Sequence, residues 1–178
     1  MPSIEILESE SPDVSSADVS AIVDATAPSG IRVDQVNAGP VRSLQGDGLE
    51  IDLATGAPAF AVFTDGTLAV RFEHTLRIAN RLGEEEDGEK TAGSEPTTIT
   101  VVHVFDFECT RDIQVTTPQI TAWIETNVYF LAYPYVRQFF TTITASMGLP
   151  AVVLGYLKRS ERPMAEALTD QDVNNDSE

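Results

Sequence analysis

Alternating apolar and polar residues run through the middle of the chain and predict β-strands. The most regular stretch follows Asp65-Gly66, and one strand face there would carry Leu68, Val70, Phe72, His74, Leu76 and Ile78. A second regular stretch, 97–110, would carry on one face Val101, His103, Phe105, Phe107 and Cys109. Because side chains alternate between the two sides of a strand, each of these strands should bury one face against a core.

Two less regular stretches come before them. The first, 31–44, loses its alternation at Ala38-Gly39-Pro40, a composition typical of a bulge or bend in an edge strand. The second, 49–63, has an irregular step at 55–58, after which the strand resumes at Ala59. The Asp65-Gly66 that follows predicts a two-residue hairpin turn. Before both, residues 12–27 could form a short helix capped by Ser11. The pattern therefore predicts four antiparallel strands after a short N-terminal helix.

The stretch 116–154 predicts one long helix. Thr116 and Gln119 have the spacing of a capping box at a helix start, and Gly148 indicates the helix end. Pro134 removes one helical hydrogen bond, so we expect a kink or a break there. Apolar residues cover most of the circumference, so the sheet and a second subunit should both cover this helix. A four-stranded antiparallel sheet followed by a long kinked helix makes an α+β fold.

The net charge of -17 is concentrated in three segments. Eighteen of the 28 acidic residues lie in 1–30, 83–96 and 160–178, together with only two of the 11 lysines and arginines. We interpret these segments as solvated: an acidic N-terminal segment over 1–30, a mobile loop over 83–96 and a disordered tail over 158–178. A domain over 31–157 would lie between them. A specific acidic docking role is the alternative interpretation.

The composition also excludes several classes of protein. A chain of 178 residues with 42% hydrophobic content suits one globular domain. It has no basic stripe that could bind the phosphates of a nucleic acid. Its first residues lack the basic start and apolar run of a secretory signal, and no run is long enough to span a membrane. Cys109 is the only cysteine, so we expect a cytoplasmic protein without disulfides.

Candidate catalytic or metal-binding residues are few. His74 and His103 fall on apolar strand faces without an obvious third ligand, so hydrogen-bonded histidines of the core or of a groove are favoured over a metal or acid-base pair. Cys109 has no basic cluster beside it that would lower the pKa of its thiol, which favours a structural role over a nucleophile. The run 84–87 could bind a divalent cation weakly, but a solvated run is favoured. The sequence does not predict an enzyme, a cofactor or a metal site.

Two short motifs in the helical stretch carry a family resemblance. The stretch Tyr133–Gln138 and the exit Met147–Pro150, with Leu154 beyond it, resemble the helix signature of the SecB protein-export chaperones. The motifs follow four strand-like segments and precede a polar tail, as in that family. The resemblance covers roughly 31–154. It implies a homotetramer, a dimer of dimers in which sheet edges pair and helices stack, and an ATP-independent chaperone that holds unfolded polypeptides in apolar grooves.

The resemblance, together with the aromatic residues of the helix and sheet, assigns two sets of residues. Candidate residues for client binding are Phe60, Phe63, Phe72, Tyr129, Phe130, Tyr133, Phe139 and Phe140. Candidate residues for the helix motif and the oligomer interface are Pro134, Tyr135, Arg137, Ile143 and Met147. Within the motif, Pro134 would set a bend, Tyr135 would pack the helix on the sheet and Arg137 would anchor a carboxylate or carbonyl.

The partners implied by the resemblance are unfolded preproteins or an antitoxin, and the SecA motor. Gln138 stands where the family has an acidic residue, and the sheet region is nearly charge-balanced, which argues against an acidic platform for SecA. The SecB-like chaperones of toxin-antitoxin modules fit the sequence better. Two other classes stay open: a small-ligand-binding domain whose aromatic residues line a closed pocket, and a structural adaptor whose apolar helix serves only oligomerisation.

Overall fold

The computed structural model describes residues 2–8, 14–41, 48–80, 95–155 and 166–167. In chain order the elements are β1 (Ile4–Leu7), α1 (Ser16–Ala25), β2 (Thr26–Ala38), β3 (Leu49–Thr55), β4 (Ala59–Val62), β5 (Thr67–Asn80), β6 (Thr97–Cys109), β7 (Ile113–Thr116), α2 (Thr117–Trp123), a π-helical turn (Ile124–Val128), α3 (Tyr129–Ser146) and β8 (Glu166–Ala167). The predicted α+β fold is confirmed: an antiparallel sheet is followed by a long helix.

The main sheet has the order β2-β6-β5-β4, and β3 also pairs with β5. All pairings among these strands are antiparallel. The four predicted strand regions are present, and the second consists of two short strands, β3 and β4, that pair with the two halves of β5. Because β5 and β6 lie in the middle of the sheet, their regular alternation was the clearest strand signal in the sequence.

The predicted hairpin at Asp65-Gly66 is present, but its turn has three residues rather than two. The amide of Gly66 donates to the carbonyl of Phe63 over 3.0 Å, and the amide of Phe63 donates to the carbonyl of Thr67 over 2.8 Å. Only Gly66 has a positive φ, of 84°, so this is a turn closed by a left-handed glycine. A β-carbon at Gly66 would also lie 2.3 Å from the carbonyl oxygen of Pro2, so the position requires glycine.

Strand β2 begins earlier than predicted. It runs through Pro28-Ser29-Gly30, a composition that usually interrupts a strand, and accommodates this stretch in a register shift between Pro28 and Gly30. A second shift lies between Val33 and Gln35, and the strand ends at Ala38. Bulges allow an edge strand to carry proline and glycine without losing its pairing, so this composition did not interrupt the strand.

The described part of the acidic N-terminal segment packs into the fold. Strand β1 pairs in parallel with β7, and neither of these strands was predicted. Helix α1 begins at Ser15, four residues after the predicted cap, because Ser15 and Asp18 form a capping box. Ile4, Ile22 and Ala25 are buried. The core therefore includes residues before Ile31, where the predicted domain was expected to start.

The long helix begins and ends where the sequence predicted. The amide of Thr116 donates to the side-chain oxygen of Gln119 over 2.9 Å, and Gly148, with φ of 76°, lies just past the last turn. Of the kink or break predicted at Pro134, the break does not occur, since α3 continues through this residue. The α-helical pattern changes instead at the π turn, Ile124–Val128, where one extra residue is accommodated before α3.

After the helix the chain turns back along it. The amide of Leu149 donates to the carbonyl of Thr144 and the amide of Gly148 to that of Ala145, which closes the helix in a Schellman motif. Leu149, Val152 and Leu154 are then buried. In the predicted tail the structure describes Glu166–Ala167, which pair in parallel with β4. The remaining tail and 83–94 of the predicted loop lie outside the described residues.

Candidate functional site

Four of the eight candidate client-binding residues lie inside the core of one chain. Phe60, Phe72, Tyr129 and Phe140 are at most 5% exposed. Phe72 and Tyr129 pack against each other with ring centroids 5.7 Å apart, and the Tyr129 hydroxyl lies 3.2 Å from that of Thr55. A polypeptide bound on the surface of this structure cannot contact these rings. The predicted client contacts are therefore restricted to residues that remain accessible.

The other four candidates are accessible but do not form one cluster. Phe63 is 50% exposed at the β4–β5 turn, and Phe130, Tyr133 and Phe139 are half-buried on α3. Phe130 and Tyr133 are three residues apart and lie on one helix flank, whereas Phe139 faces β2. The helix therefore presents accessible aromatic residues on two flanks.

The first flank lies between the helix and strand β2, and we call it the β2 flank. It contains an open pocket of about 290 Å³, lined by Ile31, Arg32, Val33, His103, Tyr135, Gln138, Phe139 and Thr142. A second pocket of about 170 Å³ lies further towards the helix start, lined by Val23, Thr26, Pro28, Phe107, Trp123, Asn127, Val128 and Leu131. From the second pocket to the first, the lining residues of β2 advance from 26–28 to 31–33 while those of the helix advance from 123–131 to 135–142. Both pockets therefore belong to one groove between β2 and the helix.

The second flank lies on the side of the helix that the returning chain covers, and we call it the tail flank. The hydroxyl of Thr141 donates to the carbonyl of Val152 over 2.7 Å, and the amide of Val152 donates to the hydroxyl of Thr144 over 3.1 Å. Further along, the Tyr133 hydroxyl donates to the carbonyl of Gly155 over 3.0 Å. Side chains of helix α3 thus hold an extended segment through hydrogen bonds to the backbone of that segment.

The five candidate interface residues have different environments. Pro134 is exposed, and Tyr135 is 45% exposed with its ring edge against Phe105. Ile143 and Met147 are partly buried against the core at the helix end, and Arg137 is half-buried. Tyr135 therefore contacts the sheet, as the motif implies, but nearly half of its surface stays exposed.

Sequence reasoning missed most of the exposed apolar residues. Beyond the aromatic candidates these include Ile31, Val33, Val36, Ile51, Leu131 and Val153. Three of them lie on β2, whose outer edge has no partner among the described strands. Long apolar edge strands are usually covered, because an unpaired edge readily recruits another strand. The signal in the sequence was the apolar character of 31–36 in a strand already identified as an edge.

Two histidines lie beneath the helix. His74 and His103 are at most 2% exposed, and their ring centroids are 6.1 Å apart. Burial, with a smaller contribution from His103, lowers the pKa of His74 to about 3, and burial lowers the pKa of His103. Both imidazoles are therefore neutral at pH 7. Their position agrees with the prediction of core histidines, but three of their four ring nitrogens have no hydrogen-bond partner within the described ranges, whereas hydrogen-bonded histidines were predicted.

Other candidate chemistry is sparse in the described ranges. Burial and the nearby Asp112 raise the pKa of the Cys109 thiol, so the nucleophilic thiolate is disfavoured. Within the same ranges no group of three or more histidine, cysteine, aspartate or glutamate side chains could hold a metal ion. The run 84–87 lies outside the described residues.

No helix in the described part of the chain is both long and apolar enough to cross a membrane.

Comparison with known proteins relates this fold to a solved structure. No protein-family model matches the chain, and no curated protein matches its sequence. The chain is similar in structure to the Mycobacterium tuberculosis Rv1957 SecB-like chaperone, solved in complex with a ChAD peptide from the Rv1956 HigA1 antitoxin. The TM-score is 0.68 at 24% sequence identity, and the match covers 83% of this chain and 99% of the other. The chain therefore has the SecB-like fold that its helix motifs predicted.

Proposed function

We propose that this protein is an ATP-independent chaperone that holds unfolded polypeptides on the tail flank of α3. The observation that carries the proposal is the way in which α3 binds Val152 and Gly155 of its own chain. Hydroxyl groups of Thr141, Thr144 and Tyr133 form hydrogen bonds with backbone atoms of the bound segment. Backbone contacts do not depend on the sequence that is bound, which is what a chaperone with many clients needs.

Apolar side chains complete this mode of binding. Leu149, Val152 and Leu154 are buried beside the helix, whereas Val153, between the last two, is 73% exposed. An extended segment held in this way buries alternate side chains and exposes the others. Phe130 and Tyr133 continue the flank towards the helix start and are half-buried. These rings would bind apolar side chains of a client in the same way.

We propose that the β2 flank serves self-association. Two copies could pair along the free edge of β2, over Ile31–Val36, and cover the groove beneath it. Such a contact would also shield Tyr135 and Leu131, two exposed apolar residues of the helix. Pairing of sheet edges followed by stacking of helices would give a homotetramer, a dimer of dimers. Using the β2 flank for assembly leaves the helix-start part of the tail flank, at Phe130 and Tyr133, for clients.

The client class we favour is an aggregation-prone antitoxin rather than a set of preproteins. The support is the Mycobacterium SecB-like chaperone of similar fold, which was solved with an antitoxin peptide. An acidic docking platform for SecA is not evident, since Arg32, Arg71 and Arg77 are interspersed with the acidic residues of the sheet. The proposed site of action is the cytoplasm.

Light scattering tests the proposal on one sample, with and without a reduced, permanently unfolded model protein. We expect a particle of about 77 kDa, four times the 19.3 kDa of one chain, whose mass increases when the client is added. Replacing Phe130 by Ser should weaken client capture and leave the mass of the free particle unchanged. As the matched control, Val33→Thr on the β2 flank should shift the mass of the free particle instead.

The same measurements separate the alternatives. A monomer or dimer that ignores the client would contradict the chaperone proposal. A small ligand found by native mass spectrometry would then favour the ligand-binding class. A stable tetramer that fails to suppress client aggregation would favour the structural adaptor, in which the apolar helix serves oligomerisation alone.

A further inference from the structure

The buried histidine pair lies at the boundary between two hydrophobic cores. On β5, His74 separates Phe72 of one core from Leu76 of the other. On β6, His103 likewise separates Phe105 from Val101. The two imidazoles are diagonal neighbours, since His74 lies opposite Val101 and His103 opposite Phe72, and they interrupt two otherwise apolar strand faces. Both cores are covered by the same helix, so the pair lies under the middle of α2–α3.

Aromatic rings of the helix cover the pair. The Tyr129 ring is stacked on His74, with centroids 6.4 Å apart and planes within 8°, and the Phe139 ring meets His103 edge-on at 5.4 Å. Both nitrogens of His74 and Nδ1 of His103 are buried and have no hydrogen-bond partner among the described residues. A neutral imidazole tolerates this apolar setting far better than a charged one does.

No described carboxylate is in a position to balance a charge on the pair. On the neighbouring strands, Thr55 of β3 lies opposite His74 and Val33 of β2 lies opposite His103. The titratable or charged groups around the pair are the phenols of Tyr129 and Tyr135 and the guanidinium of Arg32, which is ion-paired with Asp106. A second positive charge on the adjacent imidazole would add repulsion.

We infer that His74 and His103 form an acid-sensitive latch, whose protonation separates helix α3 from the sheet and exposes the aromatic residues between them. Charging either ring would place an unpaired cation between Phe72 or Phe105 and the helix. The packing of Tyr129 and Phe139 on the histidines would be lost first, because these rings contact them directly. Phe72 and Tyr129, which are buried at neutral pH, would then become accessible to an unfolded chain.

The direction of the pH dependence follows from proton linkage. Burial holds the pKa of His74 at about 3, against 6.5 in an unfolded chain. The unfolded or opened state therefore binds more protons between these values, so stability is complete above pH 6.5 and falls as the pH is lowered towards 3. For His74 alone, the equilibrium constant for opening should rise about 30-fold between pH 7.5 and pH 5.

The test is hydrogen exchange at pH 7.5 and pH 5, corrected for intrinsic rates, on the wild type and on His74→Leu and His103→Leu. In the wild type, protection of the α3 amides should fall about 30-fold more than that of the β5–β6 amides. Each leucine variant should reduce this difference, since leucine cannot be charged. Equal loss of protection in helix and sheet, or a wild-type difference that both variants retain, would overturn the latch.

Where a leucine variant does not fold, imidazole resonances of the wild type give the answer by NMR. Two histidines that titrate only together with the loss of α3 protection support the latch, and two that titrate near pH 6.5 in the intact fold contradict it. Client capture at pH 5.5 against pH 7.5 is a separate readout that rests on the proposed function. If the protein opens in acid but captures no more client, the latch is supported and only its link to the chaperone role is contradicted.

Discussion

The two cores of this protein are closed by different kinds of element. The core at the hairpin end is covered by α1, β1, β7, α2, the π turn and the start of α3. It contains the aromatic residues Phe60, Phe72, Phe105, Phe107, Trp123 and Tyr129. The core at the other end is covered by the second half of α3 and by the returning segment, and it is mainly aliphatic, with Phe140 as its buried aromatic ring. The first is closed by several secondary-structure elements, the second by one helix and one irregular segment.

Because the two cores are closed differently, the stability of each depends on different contacts. The hairpin-end core depends on the N-terminal segment, whose acidic composition suggests a solvated tail. The helix-end core depends on contacts between α3 and Leu149–Leu154, which are side-chain hydrogen bonds and apolar burial rather than strand pairing. Substitutions in each core should therefore reveal whether the two ends unfold together.

The largest expected effect is that of Phe140→Ala in the helix-end core. The ring is fully buried and packs against Phe139 with centroids 5.6 Å apart. Its removal should lower the free energy of unfolding by about 3–5 kcal/mol, measured by urea denaturation. The exposed neighbour Gln138→Ala is the control and should cost about 0.5 kcal/mol or less. Similar stabilities of the two variants would place Phe140 outside the core.

A somewhat smaller loss is expected for Ile22→Ala in the hairpin-end core. Ile22 is 1% exposed on α1, so truncation should cost about 2–4 kcal/mol in the same denaturation experiment. Val23→Ala, one position along the helix and 44% exposed, is the matched control with a much smaller expected cost. Wild-type stability of Ile22→Ala would show that α1 does not fold as part of the domain.

Thr144→Val tests what holds the returning segment. The Thr144 hydroxyl donates to the carbonyl of Phe140 over 2.7 Å and accepts from the amide of Val152. Valine has the same shape but leaves that amide buried without a partner, which should cost about 1–3 kcal/mol. Hydrogen exchange should show faster exchange of the Val152 amide. Thr142→Val, on the exposed side of the helix, should leave it unchanged.

The sequence predicted the parts of this fold whose signals are local. The alternation in β5 and β6, the capping box at Thr116 and the glycine at 148 each determine local structure, and each was identified correctly. Strands β1 and β7 were missed because their four-residue segments pair across more than 100 residues. The burial of Tyr129 and Phe140 could not be predicted, since apolar residues surround the helix and only packing decides which side faces the sheet.

The smallest change in stability is expected for Tyr135→Ala on the β2 flank. With 45% of its surface exposed and only an edge contact to Phe105, the ring should contribute about 1 kcal/mol to one chain, well below Phe140. If two copies cover this flank, the same variant should weaken their association far more than it weakens the fold. Light scattering over a dilution series would then show dissociation at higher concentrations than for the wild type. Unchanged association, with unchanged stability, would place Tyr135 outside the self-association surface and leave the β2 edge strand alone to form it.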